Sequence, residues 1–144
     1  ELGPPCKLDV APPGSADAVL TFRNMHNWMG EGKELKVMQA AFTALKPGGV
    51  LGVVEHRAAP GATEEQLKGS GYMTEATVIK AAEAAGFVLD AKSEINANPR
   101  DTRDYPKGVW TLPPSLALGE TDREKYLAIG ESDRMTLRFR KPAQ

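Results

Sequence analysis

Apolar and polar positions divide the chain into a short series of regular segments. Residues 1–15, ELGPPCKLDVAPPGS, carry four prolines and no periodicity, and predict an irregular lead-in. ADAVLTF (16–22) is an apolar run with a polar bracket at each end, which predicts a buried strand. RNMHNWMGEG (23–32) reads as loop. From Lys33 to Leu45 the apolar residues Leu35, Met38, Phe42 and Leu45, with Ala41 beside them, recur at steps of three and four and predict an amphipathic helix. Lys46 suits the negative end of that helix, Pro47 ends it, and Gly48-Gly49 allow a sharp turn. VLGVVEH (50–56) is apolar nearly throughout, as expected of a strand covered on both faces.

The second half is less regular. APGATEEQLKGSG (59–71) reads as a flexible polar connection. Thr74 is a natural N-cap for a helix over 75–85, with Gly86 in the usual stop position. FVLDAKSEI (87–95) predicts a third strand, its clearest apolar positions being Phe87, Leu89 and Ile95. Residues 96–133 form a long connection rich in Pro, Gly, Asp and Arg, of a length that usually serves function or holds short structure of its own. RMTLRFRK (134–141) alternates Met135, Leu137 and Phe139 with polar neighbours and predicts a half-exposed antiparallel edge strand. Strands alternating with helices in this way predict an α/β domain with right-handed parallel crossovers and helices on the faces.

Composition narrows the function classes. A length of 144 residues suits one domain with a real core. Eighteen basic against nineteen acidic side chains give a net charge of −1, which speaks against nucleic acid or an anionic membrane as the main partner. The single cysteine, Cys6, cannot form an internal disulfide. No stretch approaches the ~20 apolar residues of a membrane span, and no charged-then-apolar leader is visible, which favours the cytoplasm. The first residue is Glu rather than Met, so a native start and any targeting segment would lie upstream.

Three stretches carry a resemblance: DVAPPGSADAVLTFRNMHNW, then LKPGGVLGVVEHRA, then TEATVIKAAEAAGFVL. Together they resemble the second half of a class I S-adenosylmethionine-dependent methyltransferase. The tail GESDRMTLRFRKP is similar to the last strand of a bacterial branch of predicted methyltransferases. The resemblance covers nearly all of residues 1–144 and implies the C-terminal portion of a Rossmann-like sheet, three parallel strands plus one antiparallel. It implies S-adenosylmethionine as cofactor and methyl transfer to a small-molecule substrate. The family's glycine-rich loop, which follows its first strand, has no counterpart here: none of the glycine pairs 48–49, 30–32 or 69–71 follows an apolar strand and opens a helix. Alone, the 144 residues are therefore expected to bind the cofactor weakly and to be inactive. The strand at 16–22 would be left as an exposed edge, open to a missing N-terminal half or to a second copy in a homodimer. The competing reading is a non-enzymatic binding or assembly module that pairs through that strand.

In open parallel sheets, ligands bind beyond the carboxyl ends of the strands. That rule selects Arg23, Asn24, His26 and Trp28 after the first strand, and Glu55, His56 and Arg57 after the second. Histidine is the side chain whose free form changes charge near neutrality, so His26 suits a general base; the plainer alternative is a loop histidine bonded to its neighbours. Glu55 and His56 would orient a substrate or take its proton, or else form a strand-end pair bonded to Arg57 or the backbone. Trp28 would cover the cofactor or cap the core. Arg23 and Asn24 would contact the cofactor or a substrate acid, or only backbone carbonyls. Asp9 resembles the family's acidic residue that accepts from the adenine amino group, with Val10 along the ring; the alternative is a solvated turn. Within 96–133, Arg103, Tyr105 and Trp110 would face substrate if the segment is a lid. No metal is expected, because His26, Glu55 and His56 lack compact ligand spacing and adjacent strand residues point to opposite faces.

Overall fold

The computed structural model describes residues 8–29 and 32–143; Cys6 lies outside them. The strands are β1 (Ala16–Phe22), β2 (Leu45–His56), β3 (Val88–Ser93) and β4 (Arg134–Arg140). The helices are α1 (Met25–Met29), α2 (Glu34–Ala44), α3 (Glu64–Leu67), α4 (Glu75–Ala84) and α5 (Arg123–Ile129), with a 3-10 turn at Gly108–Thr111. The sheet order is β1-β2-β4-β3. β1 and β2 are parallel, and β4 runs antiparallel to both β2 and β3. Three strands thus share one direction and β4 opposes them, as expected.

β4 is nevertheless no edge. It lies between β2 and β3, and its alternation arises because only one face of the sheet is packed. Met135, Leu137 and Phe139 are buried on that face beside Leu51 and Val53 of β2. Met25, Met38, Ala41, Val78 and Ala82, from α1, α2 and α4, close over them in one core. Phe87 packs edge-on against Phe42 at 5.1 Å between ring centres and tilted against Phe139 at 6.4 Å. The opposite face leaves Leu20 62%, Phe22 54% and Val88 56% exposed. The apolar run of β2 therefore does not mark a strand covered on both sides by the described residues. Among the described residues β1 has a strand neighbour on one side only, so 16–22 is an edge of the sheet, as the sequence predicts.

Local differences have local causes. β2 begins at Leu45, directly after α2: Leu45 pairs with Ala16 and Val50 with Ala18, so residues 46–49 bulge out of the ladder. Gly48 there has φ +80° and its N–H donates to Lys141 O at 2.8 Å, so the glycine turn is realised inside a strand. The connection 59–71 contains α3, closed by a capping box in which Thr63 and Gln66 each bond the other's backbone N–H. The predicted loop after β1 contains α1. Ile95 falls beyond β3 and is 81% exposed, so it is no core position.

Candidate active site

The site forms where β1 and β2 end. Arg23 turns the chain out of β1 with φ +56°, a conformation that L-residues adopt at some cost, and its N–H donates to Val54 O at 2.7 Å. Met25, wholly buried, then pins α1 to the core and places His26 over the end of β2. Glu55 sits there with no exposed surface. It accepts the His26 backbone N–H on Oε2 at 3.1 Å, His26 Nδ1 on Oε1 at 3.0 Å, and the His56 backbone N–H on Oε1 at 2.8 Å. The carboxylate satisfies an orphan N–H of α1 and fixes the ring of His26 through a charge-assisted bond.

His56 is buried behind this pair. Its Nδ1 bonds Ser132 Oγ, and its ring centre lies 5.6 Å from that of His26 and 6.5 Å from that of Tyr72. Burial pushes its pKa down to about 4; the nearby charge of Glu55 opposes the shift, and His26, Arg134 and Arg23 reinforce it. His56 is thus neutral at neutral pH. One ligand-capable atom from each of His26, Glu55 and His56 lies within 4.8 Å of the other two. Adjacent positions on a strand do point apart, but the Glu55 carboxylate folds back to the amide of its own neighbour, and this brings the three together.

His26 opens onto a cavity of about 840 Å³. Met29, Leu67, Tyr72, Met73 and Trp110 give it apolar walls, while Asn27, Glu64, Glu65 and Lys68 supply polar groups. Trp110 stands edge-on to His26 at 5.8 Å between ring centres. Of the three residues proposed for a lid in 96–133, only Trp110 lines this cavity. Arg103 is anchored instead, donating to Arg57 O at 2.7 Å and pairing with Asp133. Tyr105 accepts from Thr102 N–H at 3.0 Å and packs edge-on to Tyr126.

Arg57 likewise does not face the site. It is the hub of an ion-pair network with Glu94 at 2.7 Å, Asp133 at 2.9 Å and Glu75 at 3.0 Å, and these bonds raise its pKa further. Asn24 is exposed and Trp28 packs half-buried against the core. Asp9 and Val10 precede β1, are exposed, and line neither this cavity nor the smaller one beside Arg57. Two contributors to the site went unnoticed in the sequence. Ser132 ends the segment before β4, and an antiparallel strand beside β2 has to start where β2 ends. Tyr72 follows a glycine-rich turn, and its hydroxyl donates to Asp101 at 2.9 Å. Burial, with Asp101 beside it, raises the pKa of this phenol.

No family model matches the chain, and no curated protein sequence does. Solved structures do. The cyclase SpnF aligns at 17% identity with a TM-score of 0.63, over 94% of this chain and 53% of that one. A putative sarcosine dimethylglycine methyltransferase from Galdieria sulphuraria aligns at 14% and 0.60, over 95% and 57%. A SAM-dependent methyltransferase from Methanosarcina mazei aligns at 11% and 0.59, over 96% and 66%. The fold is that of the class I S-adenosylmethionine-dependent methyltransferases. The chain spans between 53% and 66% of the length of these three structures. Among the described residues no helix is long and apolar enough to cross a membrane.

Proposed function

We propose that these residues form the acceptor-binding half of an S-adenosylmethionine-dependent methyltransferase acting on a small molecule with a protic nucleophile such as a hydroxyl. One observation carries the reading: a wholly buried carboxylate, Glu55, grips the backbone and the ring of a histidine that opens onto a largely apolar cavity. Because Nδ1 of His26 is committed to Glu55, Nε2 is the nitrogen left to take the acceptor's proton. Glu55 holds the ring in that tautomer and stabilises the imidazolium that results. A positioned base of this kind contributes roughly 10²–10⁴-fold in rate. Neutral His56, packed behind, adds no competing charge. The cofactor, when bound, supplies the methyl group on a sulfonium centre; Arg23 and Asn24, exposed at the end of β1, would contact it, and Trp110 and Met29 would exclude water from the acceptor.

The fit to the cofactor is partial, since Asp9 and Val10 stand apart from the cavity and no glycine-rich strand-to-helix loop is found among the described residues. Cofactor binding is therefore assigned to the intact protein and not to these 144 residues alone. The test is methyl transfer from labelled S-adenosylmethionine to a panel of small hydroxylated aromatics. His26→Asn should lower kcat by about 10²–10⁴-fold while cofactor affinity, read by calorimetry, stays within a few-fold. A variant with undiminished kcat overturns the assignment of the base. Tight one-to-one cofactor binding by the isolated chain overturns the partial-domain reading.

A second reading rests on a different observation, the exposed Leu20 and Phe22 beside the free edge of β1. It makes the chain an assembly module that pairs through that strand, with a second copy or with a preceding half of the same domain. A strictly monomeric chain in sedimentation at high concentration would remove the pairing of two copies.

A further inference from the structure

We propose that His26, Glu55 and His56 form a binding site for a divalent transition-metal ion of the zinc class, with an open coordination position towards the cavity that His26 lines. The proposal concerns the same cluster as the catalytic reading and does not depend on methyl transfer; an ion there displaces the His26–Glu55 hydrogen bond, so the metal-bound and general-base forms are alternative states of the cluster.

The geometry is close to what such an ion requires. Nitrogen and oxygen ligands bind zinc at about 2.0–2.2 Å, so neighbouring ligands around a tetrahedral ion lie roughly 3.3 Å apart. His26 Nδ1 and Glu55 Oε1 are already 3.0 Å apart, and an ion between them takes the place of the hydrogen they share. His56 completes the set: one ligand atom from each of the three residues lies within 4.8 Å of the other two, so no pair among those atoms has to close by more than about 1.5 Å. When the ion replaces the hydrogen shared with His26, Glu55 Oε1 has that position free for it, while Oε1 still accepts the His56 N–H and Oε2 the His26 N–H. Ser132 holds Nδ1 of His56, which leaves Nε2 as its ligating nitrogen and orients the ring, as outer partners of metal-bound histidines do. Two imidazoles and one carboxylate suit zinc, cobalt or nickel rather than calcium or magnesium, which prefer oxygen donors. Three protein ligands with an opening to a cavity is the pattern of an accessible site rather than a closed structural one. Arg23 and Arg134 add positive potential at His56, so the expected affinity is moderate.

The test is titration of the chelator-treated intact protein with cobalt(II). The expected result is one equivalent bound, with the visible d–d bands of a four- or five-coordinate site, displaced by zinc. His56→Gln and His26→Gln, each verified as folded by circular dichroism, should abolish the bands, and Ser132→Ala should weaken zinc binding by about 10–100-fold. His26 is the less buried of the two histidine ligands, and its variant decides the matter if His56→Gln does not fold. Absence of the bands in the wild type, or unchanged affinity in the histidine variants, overturns the proposal. The two readings fail separately. The effect of His26→Asn on kcat is measured in chelator, whereas the cobalt spectrum needs neither cofactor nor acceptor.

Discussion

Asp133→Asn should loosen the network that anchors residues 96–133 to the end of β2. Asp133 is 2% exposed. Its Oδ1 accepts from the Asn98 N–H at 2.8 Å and from Arg57 at 3.0 Å; its Oδ2 accepts from Arg57 Nε at 2.9 Å and from Arg103. The amide keeps the shape but removes the charge and turns an NH₂ towards donors. Removing one partner of a buried ion pair costs roughly 3–5 kcal/mol. Arg57 would retain Glu75 and the largely exposed Glu94, an exposed pair being worth about 0–1 kcal/mol, so the lower end, about 3 kcal/mol, applies. With a urea slope of about 2 kcal/mol per molar, the midpoint should fall by about 1.5 M. Asp17→Asn, which removes the exposed Lys46–Asp17 pair, should cost under about 0.5 kcal/mol. Burial alone would raise the pKa of Asp133, but Arg57, the Asn98 amide and Arg103 outweigh it and hold the carboxyl below its ordinary value. Its contribution is therefore complete above the unfolded-state pKa and is lost as pH falls through the depressed folded value. Asp133→Asn should flatten that acid limb. A loss under about 1 kcal/mol with an unchanged acid limb would refute the buried-hub argument.

Two further outcomes follow from the packing. Gly108 has φ +56° and lies against the Ser70 backbone, so Gly108→Ala should cost about 1–3 kcal/mol and speed proteolytic cleavage within 96–133, read by limited digestion. Leu20→Lys with Phe22→Lys changes side chains already 62% and 54% in water. The pair should leave the far-ultraviolet spectrum unchanged and lower the self-associated fraction in sedimentation; unfolding would show that this face is packed after all.

Element type was legible wherever one periodicity governed a segment. α2 and α4 appear within a residue or two of their predicted spans, because a helix with one apolar stripe and a clear stop carries its own boundaries. Thr74 caps α4 as predicted, accepting from the Thr77 N–H at 3.2 Å. What local pattern could not supply was neighbourhood. Alternation in β4 records that one face is wet, and an interior strand of a sheet packed on one side alternates just as an edge strand does. Strand order depends on long-range pairing, such as Leu51 with Phe139, which no window of ten residues contains. The same holds for β2, whose unbroken apolar run suggests two covered faces. Val50, Gly52 and Val54 are half-exposed among the described residues.

The site separates what topology fixes from what side chains decide. The rule that ligands bind beyond strand ends gathered His26, Glu55 and His56 as candidates from sequence, since it needs only direction and order. It also gathered Arg57, which satisfies three carboxylates and takes no part in the site. It could not show that Glu55 and His26 meet, because the two are 29 positions apart and their contact depends on the turn at Arg23 and the anchoring of Met25. The expectation that Glu55 and His56 diverge was sound for a strand interior and failed at the terminus. There the ladder no longer claims the His56 N–H for a neighbouring strand, and the Glu55 carboxylate turns back to accept it. A strand end thus frees backbone donors that can gather adjacent side chains on one side. The gathering of two imidazoles and a carboxylate is a product of that freedom, set by where β2 stops.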